Sequence, residues 1–234
     1  MENEKTLSVR EKTLSCILKT IVIVSAVLGT VLSALGGRNS FMGGRVVFMY
    51  FTIQSNIAIA IVCTVGLFMM LSGRPYYKAW QVIKLVGTVS ITLTGTVFCF
   101  VLAPTMGSRA WNVQNVLTHV IVPVASVIDF FVTGVISDIK KSSVVYVTLP
   151  PLAYVIYAGI GYVQGWEFSR GVHYPYFFLN WGSPTGVFGF SGSFPFIGTG
   201  WWILLLSVLL ILVSLLYLAI LKKLKAKRSR NIPG

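Results

Sequence analysis

Six long apolar runs separated by short polar segments organise the chain. They fall at about 16–36, 46–71, 82–104, 113–136, 143–164 and 199–221. A bilayer core about 30 Å thick takes roughly 20 residues of helix at 1.5 Å per residue, so each run can cross it once. The pattern predicts an all-α polytopic membrane protein, a six-helix transmembrane bundle forming a single integral domain over residues 1–234. The connections are short except for residues 165–198, "GWEFSRGVHYPYFFLNWGSPTGVFGFSGSFPFIG". A segment of that length is seldom an idle linker, and this one is too aromatic for disorder. It is expected to fold back on the outer mouth of the bundle, either as a lid with His173 and Tyr174 as candidate residues or as an interfacial aromatic belt.

Composition agrees, since 55% hydrophobic against 11% charged residues and a mean hydropathy of +0.80 exclude a soluble domain. The first run follows a polar head and lacks a small-residue cleavage site, so it reads as a retained helix and not a signal peptide. Cys16, Cys63 and Cys99 all fall in or beside apolar runs and read as packing residues.

Charge gives the orientation. With both termini cytoplasmic, fifteen of the nineteen Lys and Arg residues lie on the inner side, Lys19 and Lys84 among them, and Arg38, Arg45, Arg109 and Arg170 face outward. That is the positive-inside distribution of a multi-pass protein of the cell membrane. The net charge of +13 then reflects topology and an attraction to anionic lipid. It is not a nucleic-acid footprint, and membrane lipids are the expected partners.

Polar residues inside the runs carry the candidate chemistry. Thr52, Gln54, Ser55 and Asn56 stand together in "YFTIQSNI". If the second helix starts near Arg45 and the fourth near Asn112, Thr52 and His119 each lie seven residues in, level with one another about 10 Å deep. Ser55 and Asn56 share the face of Thr52, and Asn115 lies one turn outside His119. Pro123 cannot donate to the His119 carbonyl. A hydroxyl and an imidazole at one depth are the minimum of a nucleophile–base pair, with the Asn56 and Asn115 amides as oxyanion donors. The same residues serve equally well as interhelical hydrogen-bonding groups. Asp129, an intramembrane acid, marks a functional site by default, so a proton or cation path involving Asp129 and His119 stays open beside hydrolysis. No metal-ligand set surrounds His119 and there is no nucleotide loop, so no metal and no cofactor are expected.

Three blocks carry a family resemblance: Tyr50 to Asn56, "NVLTHVIVPVASVID" and "VHYPYF". The chain resembles the androgen-induced family of six-helix membrane hydrolases, and more closely its uncharacterised microbial six-transmembrane relatives. Thr52 takes the place of that family's threonine nucleophile and His119 that of its general base. Asn115, His119 and Asp129 repeat an Asn-x3-His-x9-acid spacing, while Ser55 stands where some members carry an acid. The resemblance implies threonine hydrolysis of lipid esters, in particular fatty acid esters of hydroxy fatty acids, with an amphiphilic ester as substrate. The alternative is a small transporter or lipid-binding membrane protein.

Overall fold

The computed structural model describes residues 6–36, 44–137 and 139–230. Lys5 and Arg38, which entered the charge count, lie outside them. The described residues form six helices long and apolar enough to cross a membrane: α1 (Val9–Leu35), α2 (Phe51–Leu71), α3 (Lys78–Ala110), α4 (Val113–Gly134), α5 (Lys141–Val163) and α6 (Thr199–Arg230). Several begin or end away from the boundaries that hydropathy suggests, each for a local reason. Ser8 and Glu11 form a capping box, Ser8 Oγ accepting from the Glu11 N–H at 3.3 Å and the Glu11 carboxylate from the Ser8 N–H at 2.7 Å. That cap starts α1 at Val9, so its polar first turns are helical too. α5 opens as a 3-10 turn over Lys141–Thr148 and becomes α-helical at Leu149. Pro150 and Pro151 then sit in the first turn, where a missing N–H removes no hydrogen bond.

α1, α2, α3 and α4 pack in a closed ring, each against the next and α4 against α1, while α5 and α6 lie outside it against α3. The ring interior is filled by Val22, Ala26, Ile59, Ile91 and Val122. A second core, with Tyr50, Val89, Phe130, Tyr154, Phe168 and Leu210, joins α2, α3, α4, α5, α6 and the 165–198 segment. The outward faces of α5 and α6 carry Ile156, Ile160, Leu204, Val208, Leu212 and Leu216, all exposed, as lipid-facing helices do.

α2 does not run on from Arg45. Gly44–Met49 is a 3-10 turn, Tyr50 is extended (φ −91°, ψ 138°), and the α-helix proper starts at Phe51. Three side chains hold the break: Tyr154 donates to the Met49 carbonyl at 2.9 Å, Gln54 to that of Phe48 at 3.0 Å, and Tyr50 donates its hydroxyl to the Phe168 carbonyl at 2.7 Å. Thr52 therefore stands in the first turn of a helix and not a third of the way down one.

α3 and α4 each contain one π-helical turn, Phe98–Leu102 and Leu117–Ile121. Each ends two residues before a proline, Pro104 and Pro123. A proline removes the N–H that would reach the carbonyl four residues back and crowds that carbonyl with its ring, so the preceding turn widens. Phe98 and His119 lie within these two turns and stack on each other, with ring centroids 3.8 Å apart and planes at 22°.

The close approach of α3 to α4 at this point depends on Gly95. A Cβ there would lie 2.8 Å from the His119 carbonyl oxygen and 3.0 Å from Pro123 Cγ. Gly95→Ala is expected to lower stability by ~1–3 kcal/mol by forcing the two helices apart, measured by thermal melting in detergent.

Candidate active site

Thr52 and His119 are both buried, 6% and 5% exposed, on α2 and α4. Asn56 ties their levels together: its Nδ2 donates to the Thr52 carbonyl at 2.8 Å and to the Thr118 carbonyl at 3.2 Å. Ser55 donates to the Thr52 carbonyl at 3.0 Å and shares a 2.7 Å hydrogen bond with Thr94 on α3. The link between the Thr52 turn of α2 and the His119 turn of α4 is this Asn56 bridge.

The tautomer of His119 follows from its partners. Nδ1 lies 3.0 Å from the Asn115 carbonyl oxygen, which can only accept. It also lies 3.0 Å from Thr118 Oγ1, whose own proton goes to the Gln114 carbonyl at 2.8 Å. Both contacts require a proton on Nδ1, so Nε2 carries the lone pair, the state a general base needs.

The Thr52 hydroxyl points elsewhere. No hydrogen bond joins it to His119 among the described residues; it lies 3.3 Å from the Tyr176 hydroxyl. Tyr176 also accepts from the backbone N–H of Thr52 at 3.3 Å, with the N–H of Phe51 beside it. These first-turn donors have no partner within the helix, because intrahelical bonding begins with Ile53 and Gln54, both to the Tyr50 carbonyl at 3.1 Å. The N-terminus of α2, with its partial positive charge, is aimed at one phenol oxygen. Desolvation raises the Tyr176 phenol above its ordinary range, so it remains a neutral hydroxyl.

The amides expected as oxyanion donors make hydrogen bonds elsewhere. The Asn56 amide is spent on the two carbonyls, and Asn115 Nδ2 donates to the Ala110 carbonyl at 2.9 Å. The donors that do converge beside the Thr52 hydroxyl are the N–H groups of Phe51 and Thr52. The loop candidates shift as well. His173 is exposed, with Nδ1 3.2 Å from the Trp166 carbonyl, and no hydrogen bond joins Tyr174 to Thr52 among the described residues. The loop residue that reaches Thr52 is Tyr176, two positions further on in the same "HYPYF" block.

A narrow cleft, with about 70 Å³ of accessible space, opens from Thr52 between α2, α3, α5, α6 and the loop. Its walls are apolar, with Phe51, Leu93, Val97, Leu102, Val155, Phe178, Ile203 and Leu210, and its polar groups include Thr52, Thr94, Tyr176 and Ser207. Phe98 forms part of the wall and carries His119 on its other face.

Asp129 belongs to a separate cluster. Its carboxylate is fully buried between Lys19 Nζ, 2.7 and 2.9 Å from its two oxygens, and Lys84 Nζ at 2.6 Å. Ser15 adds a 2.5 Å hydrogen bond to the carboxylate, and Lys84 donates to Thr133 at 2.5 Å. Lys19 and Lys84 are 1% and 7% exposed, so they are interior residues of the ring and not the inner-face charges that their sequence positions suggest.

Compared with models of protein families, with curated proteins and with solved structures, the chain matches none of them.

Proposed function

We propose that the protein is a membrane-embedded ester hydrolase in which Thr52 is the nucleophile and His119 the general base, acting on the ester of a long acyl chain. The observation that carries this reading is the apolar cleft that ends on a threonine hydroxyl flanked by two helix-terminal N–H groups. An acyl chain lying along the Leu93, Val97 and Leu210 walls brings its ester carbonyl to the place now taken by the Tyr176 hydroxyl, beside the N–H groups of Phe51 and Thr52. Thr52, released from Tyr176, turns to His119. Nε2 takes its proton as Oγ1 attacks the carbonyl carbon, and the two N–H groups hold the oxyanion. The leaving alkoxide takes the proton back from Nε2, giving an acyl-Thr52 ester and the free alcohol. Water then attacks with Nε2 again as base, and that proton passes from Nε2 to Thr52 Oγ1 as the fatty acid departs. The active members of the family that the sequence resembles are hydrolases of this class, which supports fatty acid esters of hydroxy fatty acids as substrates. The basic-residue distribution supports an orientation with both termini in the cytoplasm.

The transporter alternative, with Asp129 and His119 handling protons or a cation, has less support. Two ammonium groups already hold the carboxylate, which leaves it a poor cation site.

Chain-length preference tests the reading. Each buried methylene is worth about 0.8 kcal/mol, roughly a fourfold gain in binding, so purified protein in detergent is expected to hydrolyse palmitoyl esters far faster than acetyl esters at equal low concentration. Hydrolysis of neither ester, or equal rates for both, would overturn it.

A further inference from the structure

We propose that segment 176–179 of the outer loop is an autoinhibitory latch, and that the Tyr176 phenol occupies the site of the substrate carbonyl until an ester displaces it. The inference rests on the hydrolase reading above and concerns the regulation of that same site. The Tyr176 oxygen accepts from the Thr52 N–H at 3.3 Å, with the Phe51 N–H beside it, and lies 3.3 Å from Thr52 Oγ1. A carbonyl under attack by Thr52 needs its oxygen at those same donors. The phenol therefore stands in for substrate, presenting an oxygen without an electrophilic carbon.

The segment that carries the phenol is one short unit. Tyr176 is extended (φ −141°, ψ 148°) and Phe177–Leu179 forms a 3-10 turn, with the Leu179 N–H donating to the Tyr176 carbonyl at 2.9 Å. The Tyr176 ring stacks on Phe178, with centroids 5.1 Å apart and planes at 4°. Tyr176, Phe178 and Leu179 together make the loop side of the cleft, so the group that covers the nucleophile and the wall that narrows the cleft belong to one piece. Its hold on Thr52 is weak, because both contacts of the phenol oxygen, at 3.3 Å, are longer than the roughly 2.7–3.0 Å at which such bonds are usually made. The start of α2 is fastened independently: Tyr50 and Tyr154 donate to the Phe168 and Met49 carbonyls at 2.7 and 2.9 Å. Thr52 and the two N–H groups thus keep their places when the segment lifts. A closed form of this kind lowers the affinity for every ligand of the site by the fraction of molecules that are open, and leaves the chemical step of the bound complex untouched.

Tyr176→Phe removes the oxygen and keeps the ring on Phe178, so it shifts the balance towards the open form while preserving the packing of the loop. The test compares this variant with the wild type, both full-length in detergent, on 4-nitrophenyl octanoate and 4-nitrophenyl palmitate, with thermal melting as the check on folding. The variant is expected to lower KM for both esters by a common factor of about fivefold, the effect of one lost hydrogen bond, with kcat within about twofold of the wild type. A common factor marks a latch, because a lost contact with the acyl chain would change the two esters unequally. Tyr176→Leu, which loses the oxygen and the stack together, is expected to lower KM at least as far. Wild-type turnover that depends on Thr52, combined with KM unchanged, raised or lowered for one ester only in both variants, overturns the latch and leaves the hydrolase reading standing. A fall in kcat beyond twofold in Tyr176→Phe with melting intact also overturns it, since the phenol would then serve the chemical step. Turnover of neither ester by any of the three proteins overturns the hydrolase reading and the latch with it.

Discussion

Asp129→Ala is expected to be the most destabilising single substitution in the bundle, costing about 3–5 kcal/mol and leaving little folded protein in detergent. Its carboxylate accepts from Lys19, Lys84 and Ser15 at once, and its backbone carbonyl accepts from Lys84 at 3.2 Å and from Thr133 at 2.9 Å. Without the carboxylate, two ammonium groups face each other inside the α1–α4 ring. The prediction separates a charge effect from simple loss of packing. A triple variant, Lys19→Met/Lys84→Met/Asp129→Leu, removes all three charges while keeping their bulk. It is expected to melt near the wild type or above it, because an ion cluster replaced as a whole by apolar groups loses its desolvation penalty along with its attraction. Melting curves of the two variants side by side check this. A single variant as stable as the wild type would mean that the cluster does not hold the ring together.

Thr52→Ala and His119→Asn should behave in the opposite way, each lowering ester turnover by at least ~10³-fold with little change in melting. The reason is how few hydrogen bonds either change removes; His119→Asn also loses the ring stack on Phe98, so its melting point is expected to fall more than that of Thr52→Ala. The Thr52 hydroxyl makes one hydrogen bond, at 3.3 Å to Tyr176, while its carbonyl and N–H, which bond to Ser55, Asn56 and Tyr176, survive the substitution. An asparagine at 119 can still donate to the Asn115 carbonyl, as Nδ1 does, but offers no basic nitrogen. Because both residues act in one step, the double variant should be scarcely worse than either single one. Turnover rates and melts of the three variants decide it. Retained activity in Thr52→Ala would return "YFTIQSN" to the role of interhelical hydrogen bonding.

The six spans were legible because lipid demands long apolar helices, and nothing shorter or polar satisfies the backbone there. Two further features were written in the sequence though hydropathy does not show them. Ser8-x-x-Glu11 is a capping pattern that moves the start of α1 to Val9, and prolines at 104 and 123 mark where π turns form. The rest depends on partners distant in sequence. The break at Tyr50 is held by Tyr154 and the Phe168 carbonyl, over a hundred residues away, so "VVFMYFT" reads as continuous helix. Lys19 and Lys84 look like flanking charges until Asp129 is placed between them. Tyr176 gains its role from the way the long loop folds back, which no local pattern encodes, and in doing so it reveals that the N–H groups of Phe51 and Thr52 converge beside the threonine hydroxyl.

Mass spectrometry of the protein quenched during turnover of a palmitoyl ester addresses the nucleophile most directly. A palmitoyl adduct on the peptide containing Thr52, absent from Thr52→Ala, is the expected result. Ester hydrolysis that proceeds without an adduct, or with the acyl group on another residue such as Ser55, would contradict the assignment of Thr52 as the nucleophile.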